Sequence, residues 1–196
     1  LIVFAATAMP AFAIDEPRHE VLRALGEGVE LRRYAPYVVA EVVLQSQPAE
    51  AGNQAFPILA GYIFGKNKGE RKMAMTAPVT QTVVPMKMAM TAPVTQQPTP
   101  AGMRVQFVLP SEVTLASAPE PLDARVRLRE EPAATWAVIR YSGTWSQSSF
   151  EQQLATLRST LAAAGVTPAG EPVWARYNGP TTPWFMRRNE IWLAVP

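Results

Sequence analysis

Nucleophilic catalysis and metal binding draw on a small set of side chains, and this chain is short of them. Its 196 residues include no cysteine and a single histidine, His19. Thiolate nucleophiles, disulfides and cysteine-based metal sites are excluded, and a multi-histidine metal centre or a histidine-based triad is disfavoured. No nucleophile, base pair or metal motif demands an enzyme. What the chain offers instead is aromatic and cationic. Trp184 follows Pro183 in a proline-rich loop and stands three residues before Arg187, so one short segment carries a stacking face and a cation. Core packing gives less reason for an aromatic residue in such a loop than for one in a strand.

Composition narrows the class further. Hydrophobic residues make up 48% and charged residues 17%, enough for a packed core and too apolar for global disorder. The formal net charge is +2. Lys and Arg are scattered in short groups at 32–33, 66–72 and 187–188 rather than set along one element, which argues against a nucleic-acid surface. The first residues, LIVFAATAMPAFA, join an apolar run to Ala11-Phe12-Ala13. Small residues at the first and third places of that triplet fit a signal-peptidase site before Ile14. Residues 1–13 are therefore expected to be a signal-peptide remnant, too short to span a bilayer. Residues 14–196 would be the exported domain, periplasmic or secreted, without stable membrane insertion.

The elements that must position any site follow from periodicity. VELRRY (Val29–Tyr34) and YVVAEVVL (Tyr37–Leu44), parted by Ala35-Pro36, read as strands. Phe56, Leu59, Ala60 and Ile63 recur at helical spacing, with Gly65 as a cap, and Pro57 either opens that helix or kinks it. A ten-residue string, KMAMTAPVTQ, occupies 72–81 and again 87–96. Its alternation puts Met73 and Met75, or Met88 and Met90, on one face, so a hairpin of two like strands is expected. Residues 105–109 are an extra strand. Then the order recurs: 126–130 (VRLRE) echoes VELRRY, 135–141 echoes the second strand, and a helix follows. That helix is expected to start at a capping box of Ser148 and Glu151, to bury Phe150, Leu154, Leu157 and Leu161, and to stop at Gly165. Strands near 173–177 and 191–195 close the chain. The result is two β-β-α-β-β halves, about 28–96 and 125–196, in one α+β domain: a curved antiparallel sheet or barrel carrying two helices.

Several stretches together resemble the SOUL/haem-binding protein family. They are Gly65-Lys66-Asn67 leading into KMAMTAPV, Phe107-Val108-Leu109-Pro110, Tyr141-Ser142-Gly143, the run from Tyr177-Asn178-Gly179-Pro180 to Pro183, and RRNEIWL at 187–193. The resemblance implies a distorted antiparallel β-barrel with two helices, and binding of haem or another tetrapyrrole. It also implies a slot between the first helix and the loop before the last strand. Here those walls are Leu59, Tyr62, Ile63 and Phe64 facing Tyr177, Thr182, Pro183, Trp184 and Phe185, with Lys66 and Arg187 placed to meet propionates. A porphyrin is a flat apolar disc with two carboxylates at one edge, so an apolar slot with cations at its rim is the chemistry it needs.

Iron ligation within such a slot has few sources. His19 lies before the expected first strand, near a mobile terminus. Met75 or Met90 could supply a thioether and Tyr177 a phenolate, although alternating Met in a strand more often fills core. The expectation is binding without a strong axial ligand, by contact area and propionate pairing. Other readings stay open. One is a different hydrophobic or cationic ligand met by Glu190 or Glu41, as in the similar gyrase-inhibitor-like effector domains. Another is an enzyme that modifies tetrapyrroles. A third is a protein-interaction module using exposed Trp.

Overall fold

The structure is a computed structural model that describes residues 15–69 and 85–196. The expectations for 1–13 and for the first copy of the repeat, with Met73 and Met75, lie outside the described residues. The order is β1 (His19–Gly26), β2 (Val29–Tyr34), β3 (Tyr37–Leu44), α1 (Pro48–Ile63), β4 (Val94–Thr99), β5 (Gly102–Val108), β6 (Arg127–Glu131), β7 (Ala134–Tyr141), α2 (Gln147–Ala163), β8 (Ala169–Arg176) and β9 (Asn189–Val195). The nine strands of the described residues form one antiparallel sheet, ordered β1-β2-β7-β9-β8-β4-β5-β3-β6. The α+β class and its two helices are as the sequence implies.

The duplication is visible in that order. Setting β1 aside, β2, β3, α1, β4 and β5 match β6, β7, α2, β8 and β9, and the strand order reads the same from either end under that exchange. Each half lends its first strand to the other: β2 pairs β7, and β6 pairs β3. The two ladders share one register. Tyr34↔Ala134 ends the first and Tyr37↔Glu131 begins the second, three residues on along each chain. One long ribbon therefore joins the two ends of the sheet, bending where Pro36 has no N–H to pair. That shared ribbon curls the sheet into a half-barrel.

Three details of the sequence reading change. The strands after α1 are β4 and β5, so the extra strand is β1 rather than 105–109. In the second copy of the repeat, residues 85–93 are not a strand, and only its tail enters β4. The alternation there is real but serves packing: Met88 is buried beneath α1 and Met86 and Met90 lie partly buried beside it. α1 begins at Pro48, a favourable first-turn position, so Pro57 sits inside the helix. Its first two turns bury Ala51 and Ala55 rather than large residues, which hid them from the periodicity. α2 is capped by Ser146, whose hydroxyl accepts from Ser149 N at 3.2 Å, rather than by Ser148. Glu151 instead accepts from Gln147 at 2.9 Å.

Both helices lie on one face of the sheet. α1 packs on Val38, Ala40, Val42, Val105 and Phe107, and α2 on Ala137, Ile139, Ile191 and Leu193. Strand alternation sends Tyr34, Val138, Val173, Ala175, Tyr177 and Trp192 to the opposite face, where they form a third cluster.

Candidate functional site

Residues 177–188 link β8 to β9 and carry most of the expected ligand contacts. The loop is braced from within. Arg187 donates from Nε to the Thr182 carbonyl at 2.7 Å and from Nη2 to the Pro180 carbonyl at 2.9 Å. Asn178 Oδ1 accepts from Arg188 N at 2.6 Å, and Thr182 N donates to Gly179 O at 3.2 Å. Trp184–Met186 form a single 3-10 turn, and the Trp184 carbonyl accepts from Gly143 N at 3.2 Å, which ties the turn to the segment before α2. The bracing holds three large apolar side chains in water: Trp184 is 58% exposed, Phe185 60% and Met186 65%. Trp184 and Phe185 meet edge to face at 5.7 Å. Among the described residues nothing covers this apolar cluster.

Beside the turn, the Arg187 guanidinium lies 4.2 Å from the ring centre of Trp145. Trp145 is held by its own Nε1–H, which donates to Asn189 Oδ1 at 2.8 Å, while Asn189 Nδ2 donates to the Gly143 carbonyl. Pro183 is exposed and Thr182 half-buried on the same loop.

The first-helix wall looks different. Leu59, Tyr62 and Ile63 are at most 1% exposed and belong to the core beneath α1, with the Tyr62 hydroxyl donating to Pro119 O at 2.9 Å. Phe64 and Lys66 are exposed. A concavity of about 290 Å³ opens there, lined by Pro57, Ile58, Tyr62, Lys66, Asp123 and Arg125. The GlyLysAsn block has a mechanical role at this point. Asn67 is buried, donates to the carbonyls of Tyr62 and Met86 at 2.9 and 2.8 Å, and accepts from Gly69 N and Met86 N at 3.1 and 3.0 Å. It fastens the second methionine segment to the end of α1.

Tyr177 belongs to neither surface. It is 8% exposed in the cluster on the helix-free face, and its hydroxyl donates to Glu190 at 2.7 Å. Glu190 is the centre of a buried network. It accepts from Arg32 at 3.1 Å, from Arg188 at 2.8 Å and from the Trp192 indole at 2.8 Å. Burial pushes its pKa up, but Arg32 and Arg188, with the Tyr177 and Trp192 donors, outweigh burial and leave it below the usual carboxylate value. Burial first, and then the Glu190 charge, push the Tyr177 hydroxyl well above its ordinary value, so the phenolate needed for iron ligation is disfavoured. Glu41 accepts from Gln106 at 3.0 Å and faces Arg104 at 3.6 Å. Both carboxylates considered for a cationic ligand are thus already engaged by arginine.

His19 is not in a mobile lead-in. It opens β1, pairs with Tyr34 in the ladder, and packs its ring on Tyr34 at 4.9 Å. β1 is exposed along nearly its whole length, so HEVLRALG carries no buried-face alternation to mark it as a strand. Arg176, at the end of β8, meets Trp145 just before α2, and a cation on a strand beside a capped helix start gives no local sequence motif. Among the described residues, no group of three or more His, Asp or Glu side chains is placed to hold a metal ion.

Comparison with known proteins agrees with the fold. The profile of the family described as SOUL heme-binding protein matches residues 14–194. The chain is 32% identical to heme-binding protein 2 of Homo sapiens over 167 residues, 84% of this chain and 76% of that protein. It is 28% identical to heme-binding protein 1 of Mus musculus over 157 residues, 79% of this chain and 77% of that protein. The EcmrR C-terminal domain superposes with a TM-score of 0.54 at 14% identity, covering 86% of this chain and 96% of that domain, which is a likeness of fold.

Proposed function

Because this chain belongs to the SOUL heme-binding protein family, we propose that it binds haem or another tetrapyrrole through the exposed 3-10 turn at 184–186. The observation that carries this is the braced Trp184-Phe185-Met186 cluster beside Arg187, which no described residue covers. Its chemistry fits the ligand: two aromatic rings and a thioether chain offer apolar contact to a flat macrocycle, and a cation lies at its edge. Of the residues expected on the helix side, Phe64 and Lys66 at the end of α1 are exposed. Leu59, Tyr62 and Ile63 support that helix end from below, and Thr182 and Pro183 shape the turn.

The bound macrocycle would supply light absorption and, with iron, redox chemistry. The chain supplies contact area and charge. In this reading no protein atom ligates the metal strongly, since Tyr177 is committed to Glu190 and His19 packs on Tyr34. Spectral titration with haem and with metal-free protoporphyrin tests the proposal. Affinities within about tenfold of each other, or ~1.4 kcal/mol, support it. Saturable binding of neither compound, or of haem alone, refutes it.

A further inference from the structure

Arg187 does not sit on Trp145 alone. The guanidinium of Arg176 lies 4.7 Å from the centre of the same indole. Two like charges therefore share one ring, and neither has a carboxylate partner among the described residues. Arg187 spends two donors on loop carbonyls. The Arg176 side chain makes no hydrogen bond or ion pair with any described residue, although the residue is partly buried at the end of β8, where it pairs with Val94 and Asn189 in the sheet. Burial is the main cause that lowers its pKa; the neighbouring Tyr141 opposes that shift and Arg187 adds to it. Cation–π contact offsets part of that cost but does not neutralise charge.

Three neighbours point the same way. The Nε1–H of Trp174 is buried and has no acceptor among the described residues. Buried donors without partners are rare and costly. The first residues of α2, Ser146 and Gln147, border the same space, so the positive end of a 17-residue helix adds to the field. A cavity of about 60 Å³ lies between Trp145, Trp174, Arg176 and that helix start. This is roughly the share of two water molecules, enough for one carboxylate group. Glu190 borders it from β9, but its carboxylate is held by Arg32 and Arg188 in the network it shares with Tyr177 and Trp192. Across the cleft, α1 presents Gly52, where a Cβ would clash with Gln96 Nε2 and stand 3.4 Å from Arg176 Nη1; Gln96 Oε1 is itself buried with no partner among the described residues.

We infer that Arg176 and Arg187, stacked on Trp145 beside the start of α2, form an oxyanion site that takes a carboxylate of the bound ligand. Taking that carboxylate to be a porphyrin propionate rests on the proposed tetrapyrrole reading; the oxyanion site itself does not. The apolar turn at 184–186 is covalently next to Arg187, so a macrocycle on the turn brings its acidic edge to the arginine pair.

The test compares the wild-type protein with Arg176→Gln in two arms. The first measures affinity for protoporphyrin and for its dimethyl ester. Wild type should prefer the diacid about tenfold, and Arg176→Gln should lose that preference while its melting temperature is unchanged. The second follows the indole Nε1–H resonance of Trp174 during titration with inorganic phosphate at constant ionic strength. Wild type should show a saturable shift, and Arg176→Gln should need at least tenfold more phosphate. Dependence on Arg176 in the porphyrin arm assigns the anion to the ligand's carboxylates. Dependence in the phosphate arm alone upholds the oxyanion site and removes the tetrapyrrole from it. Dependence in neither arm overturns the inference.

Discussion

Truncating Trp184 to alanine separates ligand contact from folding. The indole is 58% exposed, so the protein covers less than half of it. What the fold takes from residue 184 is its backbone: the carbonyl that accepts from Gly143 N and Arg187 N, both kept by alanine. The side chain's recorded ring contact is to Phe185, itself exposed. Stability should therefore change by about 0.5 kcal/mol or less, as for other surface substitutions. Binding should change more. A macrocycle laid on the free face would cover roughly 100 Å² of indole, worth ~2.5 kcal/mol at about 25 cal/mol per Å². Part of that is regained as the ligand shifts onto Phe185, so a loss of affinity between tenfold and about seventyfold is expected. Fluorescence quenching by protoporphyrin, alongside melting curves, measures both quantities. Unchanged affinity with a sharply lowered melting temperature would show that Trp184 is a packing residue and that the turn is not the site.

The buried network makes a prediction about pH. Glu190→Gln leaves Arg32, only 6% exposed at its side chain, with Glu30 as its remaining carboxylate, and breaking such a pair should cost about 3 kcal/mol in urea unfolding at pH 7. Because the folded-state pKa of Glu190 lies below its unfolded value of about 4.5, its contribution is full above that pH and fades as pH falls through the folded value. The gap between wild type and variant should narrow in acid; a gap that stays constant from pH 7 to 3 would contradict the assignment. Asn67→Ala removes four hydrogen bonds and orphans the backbone of Met86, so unfolding should weaken by ~2 to 4 kcal/mol, and a loss under about 0.5 kcal/mol would deny Asn67 its fastening role. Export processing at Ala11-Phe12-Ala13 should leave Ile14 as the mature N-terminus, which mass spectrometry of protein from its native host can read directly; an intact upstream segment would count against it.

How far the sequence reveals the fold depends on what each element buries. β2 and β3 have the expected bounds because Val29 and Leu31 alternate with charged residues in the first, valines fill the second, and Pro36 separates them. α2 was legible from Phe150, Leu157 and Leu161, all buried as spaced. The start of α1 was not, because its buried positions are alanines, and a face of Ala51 and Ala55 carries little hydrophobic signal. The methionine repeat misled through a true periodicity: extended chain of any kind alternates, and residues 85–93 alternate without a ladder partner. Of the proposed contacts, Trp184, Phe185 and Arg187 could be named from sequence because an aromatic pair beside a cation in a proline-rich loop has little packing rationale. Arg176 and Trp145 were not, since 31 residues separate them in sequence (176 against 145) and only the pairing of β8 with β9 brings Arg176 level with Asn189, to which Trp145 is bonded.

The central claim is that this chain holds a tetrapyrrole by shape and charge rather than through its metal. Parallel titration of the wild-type protein and His19→Ala with haem and metal-free protoporphyrin tests it most directly. The account predicts four dissociation constants within about tenfold of one another, a spread of ~1.4 kcal/mol. Haem binding that is a hundredfold tighter than protoporphyrin binding in wild type, and that collapses in His19→Ala, would contradict it.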